Sequence, residues 1–403
     1  MSADQMDSRS KSPDVVVVLT TQWRASAFGF AGDPNARTPN LDRLADRSIW
    51  IKQAVTPHPF GVFARAAFLT GTRSPTNGLK DYYDTLPADA RTVAHAFSEG
   101  GYDTAFFGKW QLFERDPNAP VVGEAHARVV VPEERRGGFG HWEGFESGFL
   151  LNDPLLHGSE LPKPTHFEGY QSDVLVQRFL RFRENRVAER PLFAVLSFDA
   201  PHPPYAADAS GLAAMSPGLV RLHRGTSKSE EDRALARREL SGYYAHIEAT
   251  DRAIGSLIEA LGENGGIFAF SSVHGDMHGV DGKFRKGWPD EEAVRVPMLV
   301  SGAGEQGENT DLLMSLTDLG PTLLGLACVE SELGRDGLDL SDCLRGSDPG
   351  PTQQEISMPS VPPFAKQCPY VWTANRVVGR TEVFPELGES FTIDHDEKWD
   401  FEP

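Results

Sequence analysis

Cysteine is nearly absent from this 403-residue chain. Its three cysteines, Cys328, Cys343 and Cys368, are odd in number and without close spacing. That argues against a disulfide framework and a thiolate zinc site and predicts isolated reduced thiols. Long apolar runs are also missing: none reaches membrane-spanning length. The polar opening MSADQMDSRSKSPD leads into a strand-like run with no apolar leader core. A cytoplasmic protein is expected. Positive charge is in deficit, with 39 Lys and Arg against 58 Asp and Glu, for a net charge of -19. General binding to nucleic acid or to an anionic membrane needs basic surface, so neither partner is expected. The local charge of a pocket is not constrained by this sum.

Hydrophobic residues make up 39% and charged residues 24% of the chain, a globular balance with enough length for a large core. Val15 to Leu19 lies in DVVVVLT (14–20), a short β-branched run of the kind found in buried parallel strands. Helical spacing follows at 40–47, where Asn40 is a plausible N-cap after Pro39, then at 64–70 and 92–98. DTAFFGK (103–109) reads as a strand, 172–187 as a helix, 192–198 as a strand, and 230–261 as a long helix. Strand-like segments at 266–272 and 296–301 and a helical one at 315–327 complete the series. This alternation predicts an α/β fold: a mostly parallel central sheet with helices on both faces, over residues 1–345. From about Gly346 the chain becomes rich in Pro, Ser and Gln. Strand-like pieces at 370–373, 376–378 and 390–393 predict a small C-terminal antiparallel subdomain, 346–403, packed on the main unit. The stretch 117–144, with Gly137, Gly138 and Gly140, reads as a long loop near a site mouth.

In open α/β sheets, ligands bind beyond the carboxyl ends of the strands. Those ends fall at Thr20 and Thr21, Lys109, Pro201 and His202, and Val273 and His274, so a shared pocket collects these residues.

Six segments in order then carry a resemblance. TPNLDRLA (38–45), RAAFLTG (65–71), GYDTAFFGKW (101–110), APHPPY (200–205), VHGDMHG (273–279) with RKG and RVP after it, and SLTDLGPTLLGLA (315–327) resemble the motifs of the sulfatase family. The resemblance spans most of the chain and implies an alkaline phosphatase/sulfatase-like fold. It also implies sulfuric ester hydrolysis by a formylglycine made from a Cys or Ser four residues before the motif Arg. Here that Arg matches Arg65, and the nucleophile position is Gly61. Phe63 and Ala64 replace the flanking maturation residues, and no Ser, Thr or Cys occurs from Pro57 to Phe68. Covalent catalysis of the family type cannot start from such a loop.

The resemblance further implies a divalent cation, usually calcium, whose carboxylate ligands would fall on Thr20, Thr21 and Val273; only His274 matches. Calcium takes several oxygen ligands, mostly charged, so both calcium and formylglycine are expected to be absent. Two readings stay open for His274, Asp276, His278 and Asp281: a new metal cluster, or ordinary polar residues on a surface loop. The family's anion-contacting positions survive as Arg65, Lys109, His202 and Lys286, while Gln111 replaces a His. Each residue alone has a plainer reading: a helix-end brace, a solvated strand end, a packed loop histidine and an exposed loop lysine.

Two cations ~4 Å apart repel by roughly 4 kcal/mol at an effective dielectric of about 20. Arg65, Lys109 and Lys286 clustered without carboxylates therefore predict either a bound anion or a lysine that has lost its proton. The expected function is a sulfatase-like protein without sulfuric ester hydrolase activity, whose basic pocket takes a small anionic ligand. The first alternative is a repurposed metal-independent enzyme, eliminating or transferring a group, in which Lys109, His202 or His274 moves protons. A genuine hydrolase, or a scaffold with a protein partner, comes after these.

Overall fold

The computed structural model describes residues 12–262, 266–303, 307–395 and 400–402; most of the polar opening segment lies outside the described residues. The main sheet is built from β1 (Val15–Thr20), β2 (Ile49–Val55), β3 (Asp103–Lys109), β4 (His141–Phe145), β5 (Leu155–Gly158), β6 (Thr165–His166), β7 (Leu192–Ser197), β8 (Ile267–Ser272), β9 (Met298–Ser301) and β10 (Gly307–Ser315). Their order is β10-β2-β9-β8-β1-β7-β3-β4-β5-β6. The five central strands, β8-β1-β7-β3-β4, are all parallel. On one side β9 runs antiparallel between β8 and β2, and β10 joins β2 in parallel. On the other side β5 and β6 form an antiparallel edge.

The helices are α1 (Pro39–Ala45), α2 (Gly61–Thr70), α3 (Val93–Glu99), α4 (Glu124–Ala127), α5 (Gln171–Asn185), α6 (Glu230–Leu261), α7 (Glu291–Val294), α8 (Leu316–Leu326) and α9 (Ser341–Leu344). Successive residues of β1 point to opposite faces of the sheet. Val15, Val17 and Leu19 pack with α2, α3 and α8, and Val16 and Val18 with α1, α5 and α6. Burial on both faces is why the strand is a continuous apolar run rather than an alternating one. The mostly parallel sheet covered on both sides is therefore observed.

Several local expectations change. Asn40 does not cap α1. The helix starts at Pro39, and the Asn40 and Leu41 backbone N–H groups donate to Asp251 of α6 at 3.1 and 2.8 Å. A carboxylate from another helix satisfies the orphan donors that a local cap would otherwise take. Helix α2 begins at Gly61, three residues before its expected start. Strand β4 starts inside the expected loop 117–144.

The C-terminal segment forms a four-stranded antiparallel sheet of β11 (Gln354–Met358), β12 (Trp372–Val377), β13 (Arg380–Pro385) and β14 (Phe391–Asp394). The two pieces expected at 370–373 and 376–378 are one strand, which turns into β13 at Gly379 with φ +87°. Ile356, Met358, Trp372, Ala374 and Val383 join the core on the α2 and α8 face. The Ser357 N–H donates to Pro57 O at 2.9 Å, tying this sheet to the segment that enters α2. Cys328, Cys343 and Cys368 are free thiols, as expected.

Gly242 in α6 lets that helix lie against the loop after β7: an added Cβ would sit 1.8 Å from the Tyr205 carbonyl oxygen. Helix propensity alone favours alanine over glycine by roughly 1 kcal/mol. Overpacking opposes it and wins: Gly242→Ala is expected to destabilise the protein by about 1–3 kcal/mol in chemical denaturation. A stabilised variant would show that the helix is free to move away.

Candidate functional site

The carboxyl ends of the central strands converge as expected. Strand β1 delivers Thr20 and Thr21, β3 delivers Lys109, β7 leads into Asp199 and His202, and β8 into Val273 and His274. The loop between β8 and α7 adds Lys286. Thr21, Gly61, Lys109, Gln111, His202, His274 and Lys286 line one cavity of about 200 Å³. Its remaining wall is largely apolar, with Phe60, Tyr82, Val121, Val122, Phe149 and Phe364. Lys109 and Lys286 are neither a solvated strand end nor an exposed loop residue, being only 1% and 7% exposed.

Gly61 opens α2 against this cavity, and the space beside it is filled. A Cβ at Gly61 would lie 2.7 Å from Arg65 Nη1 and 2.8 Å from Gln111 Oε1. Those two groups bond each other at 3.0 Å. Arg65 is buried and stands behind the cavity wall rather than in it. Its Nη2 donates to Thr21 Oγ1 at 2.7 Å and its Nε to Ser197 Oγ at 3.3 Å. Arg65 thus braces the ends of β1 and β7 against α2.

The positions where the family would hold a metal do not fit calcium. The Thr20 hydroxyl donates to Ser271 O at 3.3 Å, and the Thr21 hydroxyl donates to Phe198 O at 2.9 Å while receiving Arg65. Val273 is fully buried in the apolar cluster of the α2 face. The four positions supply two neutral hydroxyls and one imidazole and no carboxylate, far short of the charged oxygen cage that calcium requires. Among the described residues, no group of three or more His, Cys, Asp or Glu could hold a metal ion.

The alternative reading of His274, Asp276, His278 and Asp281 as surface residues also needs correction. The first three are fully buried, and only Asp281 is exposed. Asp276 is saturated. It accepts from Tyr205 OH at 2.6 Å, from the His278 and Arg285 N–H groups at 3.0 and 2.9 Å, and from Gln22 Nε2. These bonds, with His278 and Arg285 nearby, outweigh burial and hold its carboxyl below the ordinary range.

The expectation of a cation cluster without carboxylates fails at one point. Lys109 Nζ lies 2.5 Å from Asp199 Oδ1, both fully buried, and Phe149 stacks its ring 4.0 Å from the same ammonium. Burial lowers the Lys109 pKa to about 8, against the pull of Asp199, so Lys109 is mostly charged at neutral pH. Asp199 went unnoticed in the sequence because it sits one residue before APHPPY; the signal available was its place just beyond a parallel strand.

Among the described residues, Lys286 has no carboxylate partner. Its Nζ donates to Gln22 Oε1 at 2.6 Å and to His202 Nε2 at 2.9 Å. His202 Nδ1–H donates to Pro203 O at 2.7 Å, which fixes Nε2 as the acceptor. Burial, with Lys109 and Arg285 adding to it, pushes the Lys286 amine well below the ordinary lysine value. Burial and the neighbouring Lys286 likewise push His202 and His274 well down, so both imidazoles are neutral. His274 Nδ1–H donates to Gly275 O at 2.9 Å, and its Nε2 is buried without a partner.

A mostly parallel sheet covered by helices on both faces, with a cavity beyond the ends of β1, β3, β7 and β8, is the α/β architecture that the sequence resemblance to the sulfatase family implies. A family model described as Sulfatase matches residues 13–329. The chain is 35% identical to an ulvan-active sulfatase of Formosa agariphila, over 90% of this chain and 71% of that protein. It is 27% identical to an arylsulfatase of Clostridium perfringens, over 82% of this chain and 78% of that one. In fold it is similar to a solved structure from work on glycosaminoglycan metabolism by Bacteroides thetaiotaomicron. That match has TM-score 0.81 and 21% identity, covering 95% of this chain and 90% of the other. The chain belongs to the sulfatase family.

Removing one partner of a buried ion pair leaves an uncompensated charge, at a cost of about 3–5 kcal/mol. Asp199→Asn is expected to lose that much stability in chemical denaturation at pH below about 8, the Lys109 value. Without Asp199 the folded-state pKa of Lys109 falls further below its unfolded value. The folded variant then releases a proton that the wild type keeps, and its deficit narrows as pH rises toward about 8. A pH-independent deficit would show that the pair is not ionised.

Proposed function

We propose that this protein is a non-hydrolytic member of the sulfatase family that binds a small anionic ligand in the cavity between Lys109, His202 and Lys286. The observation that carries this reading is the missing side chain at Gly61. The position resembling the family's nucleophile is a glycine, and Arg65 and Gln111 bond each other beside it. In an unrelated hydrolase, loss of the nucleophile costs roughly 10⁶-fold in turnover. The calcium positions are filled by groups whose oxygens already serve backbone carbonyls or Arg65, or by none. What survives is donors: two lysines and the Gln111 amide on a small cavity with a largely apolar wall, where charge-assisted hydrogen bonds are strong.

A second reading, a metal-independent enzyme acting by elimination or group transfer, draws on a different observation. His274 Nε2 is a neutral, unpartnered acceptor in the cavity wall, a group suited to accepting a proton from a bound molecule.

Purified protein, metal-stripped or calcium-replete, is expected to release no product from nitrocatechol sulfate, and turnover in either form would overturn the main reading. Inorganic sulfate is expected to bind in calorimetry and to raise the melting temperature. Lys286→Gln is expected to weaken that binding ~10–100-fold, the range for one charge-assisted contact. Because the free Lys286 amine sits low and an anion restores its charge, binding takes up a proton and weakens as pH rises. Sulfate affinity that is flat in pH would remove Lys286 from the anion site.

A further inference from the structure

Two buried lysines share this cavity, and their surroundings divide their chemistry. Lys109 is ion-paired with Asp199 at 2.5 Å, so its nitrogen carries a proton where a lone pair would be needed. Lys286 touches two neutral acceptors instead, Gln22 Oε1 at 2.6 Å and His202 Nε2 at 2.9 Å. A neutral amine has two N–H protons and one lone pair. Both protons are engaged by those acceptors, and the lone pair is left over for whatever occupies the cavity.

We propose that Lys286 is an imine-forming amine and that the cavity takes a small anionic carbonyl compound with an aromatic or apolar body. The substrate class follows from the walls. Lys109 supplies a cation for the anionic group. Phe60, whose ring lies 5.5 Å from Lys286 Nζ, and Phe149, stacked on His202 at 4.1 Å, flank the apolar part. Tyr82 and Phe364, in edge contact at 4.9 Å, extend the wall beside Phe60. The charged groups acting on Lys286 are Lys109 and Arg285, which disfavour its ammonium form, and Asp276 and Asp199, which favour it. Asp276 is held one amide away through Gln22. Burial and the like charges win, and a lysine desolvated in an apolar pocket beside other cations is the activated form of this nucleophile.

The step balances within the site. The lone pair of the amine forms the nitrogen–carbon bond as the carbonyl π bond breaks toward oxygen. One N–H proton passes through His202 Nε2 to that oxygen. The carbon–oxygen bond then breaks, the hydroxyl leaves as water with the second N–H proton, and nitrogen and carbon share a double bond. No oxidant or reductant is needed, and no metal.

This inference rests on the anion-pocket reading, and the test separates the two. The full chain is incubated at neutral pH with carboxybenzaldehyde and cyanoborohydride, which reduces any imine to a stable secondary amine, and labelled lysines are mapped by mass spectrometry. Lys286 is expected to label fastest, with an advantage over surface lysines of up to roughly 10-fold for each pKa unit that separates them. Inorganic sulfate is expected to slow this labelling, and Lys286→Arg to abolish the fast adduct. Circular dichroism confirms that the variant is folded, and the rate profile of the wild type against pH gives the same answer without any variant. Labelling spread over surface lysines, or confined to Lys109, would overturn the proposal. If sulfate binds but Lys286 does not label, the imine chemistry fails and the anion pocket stands. If Lys286 labels but neither sulfate nor the carboxylate of the aldehyde affects the rate, judged against uncharged benzaldehyde, the anion pocket fails instead.

Discussion

The constraint on which the rest of this site depends is the crowding of Arg65, Lys109 and Lys286 at the carboxyl end of a parallel sheet where, among the described residues, one carboxylate is in contact with any of them. Asp199 compensates Lys109. Arg65 stays charged by virtue of its high intrinsic pKa, lowered by burial only to about 10, and distributes its donors over Thr21, Gln111 and Ser197. Lys286 touches Gln22 and His202 instead, and burial with the nearby Lys109 and Arg285 pushes its amine well below the ordinary lysine value. The neutral state of His202 and the tautomer that turns its Nε2 toward Lys286 are consequences of the same balance. Burial disfavours a positive charge on either His202 or His274.

Holding these groups in place takes an unusual backbone. Gln22, Gln111, His278 and Arg285 all have positive φ, at 73°, 59°, 43° and 65°. None is glycine, so each carries a local penalty that surrounding contacts must offset. The offsets are visible. Gln22 is held by Tyr205, Asp276 and Lys286, Gln111 by Arg65, and Arg285 by a bidentate pair with Glu239 at 2.7 Å. Asp276 receives the N–H groups of both His278 and Arg285, so one buried carboxylate fixes the turn that presents Lys286. Long helix α6 contributes Glu239 and, through the close approach at Gly242, the position of Tyr205.

Four of the five central parallel strands, β1, β3, β7 and β8, were legible in the sequence because they are buried on both faces and read as short apolar runs, as in Val15 to Leu19, whereas β4 was read as part of a loop. Strands covered less evenly were not. Strand β2 mixes Ile49 and Ile51 with Trp50, Lys52 and Gln53, and in the C-terminal sheet β11 and β13 were hidden by Glu355, Ser357, Arg380 and Glu382 beside their buried residues. At the site, the strand-end rule placed Thr21, Lys109, His202 and His274 on one cavity without any structure. It did not yield Asp199, whose partner is 90 residues away, or the saturated bonding of Asp276. Contacts of that sequence separation leave no local pattern. The aromatic wall was equally hidden, since Phe60, Tyr82, Phe149 and Phe364 come from four separate loops and helix entries.

Arg65 ties together two features that the sequence presents as separate. Its Nη1 fills the space beside Gly61, and its Nη2 engages Thr21, where the family would carry a metal-binding carboxylate. A carboxylate at position 21 would draw Arg65 toward it, and a side chain at position 61 would press on Nη1. The two positions are therefore coupled through one guanidinium, and additivity fails for residues that share a partner. A nucleophile restored at Gly61 alone meets Arg65 still bonded to Thr21, and acidic residues restored at Thr20 and Thr21 alone meet Val273 in the apolar core. Family membership fixes the scaffold, while activity is a property of the site grafted on it. In this chain Arg65 and Gln111 bond each other beside Gly61, and the cavity wall holds a buried acceptor without a hydrogen-bond partner, His274 Nε2.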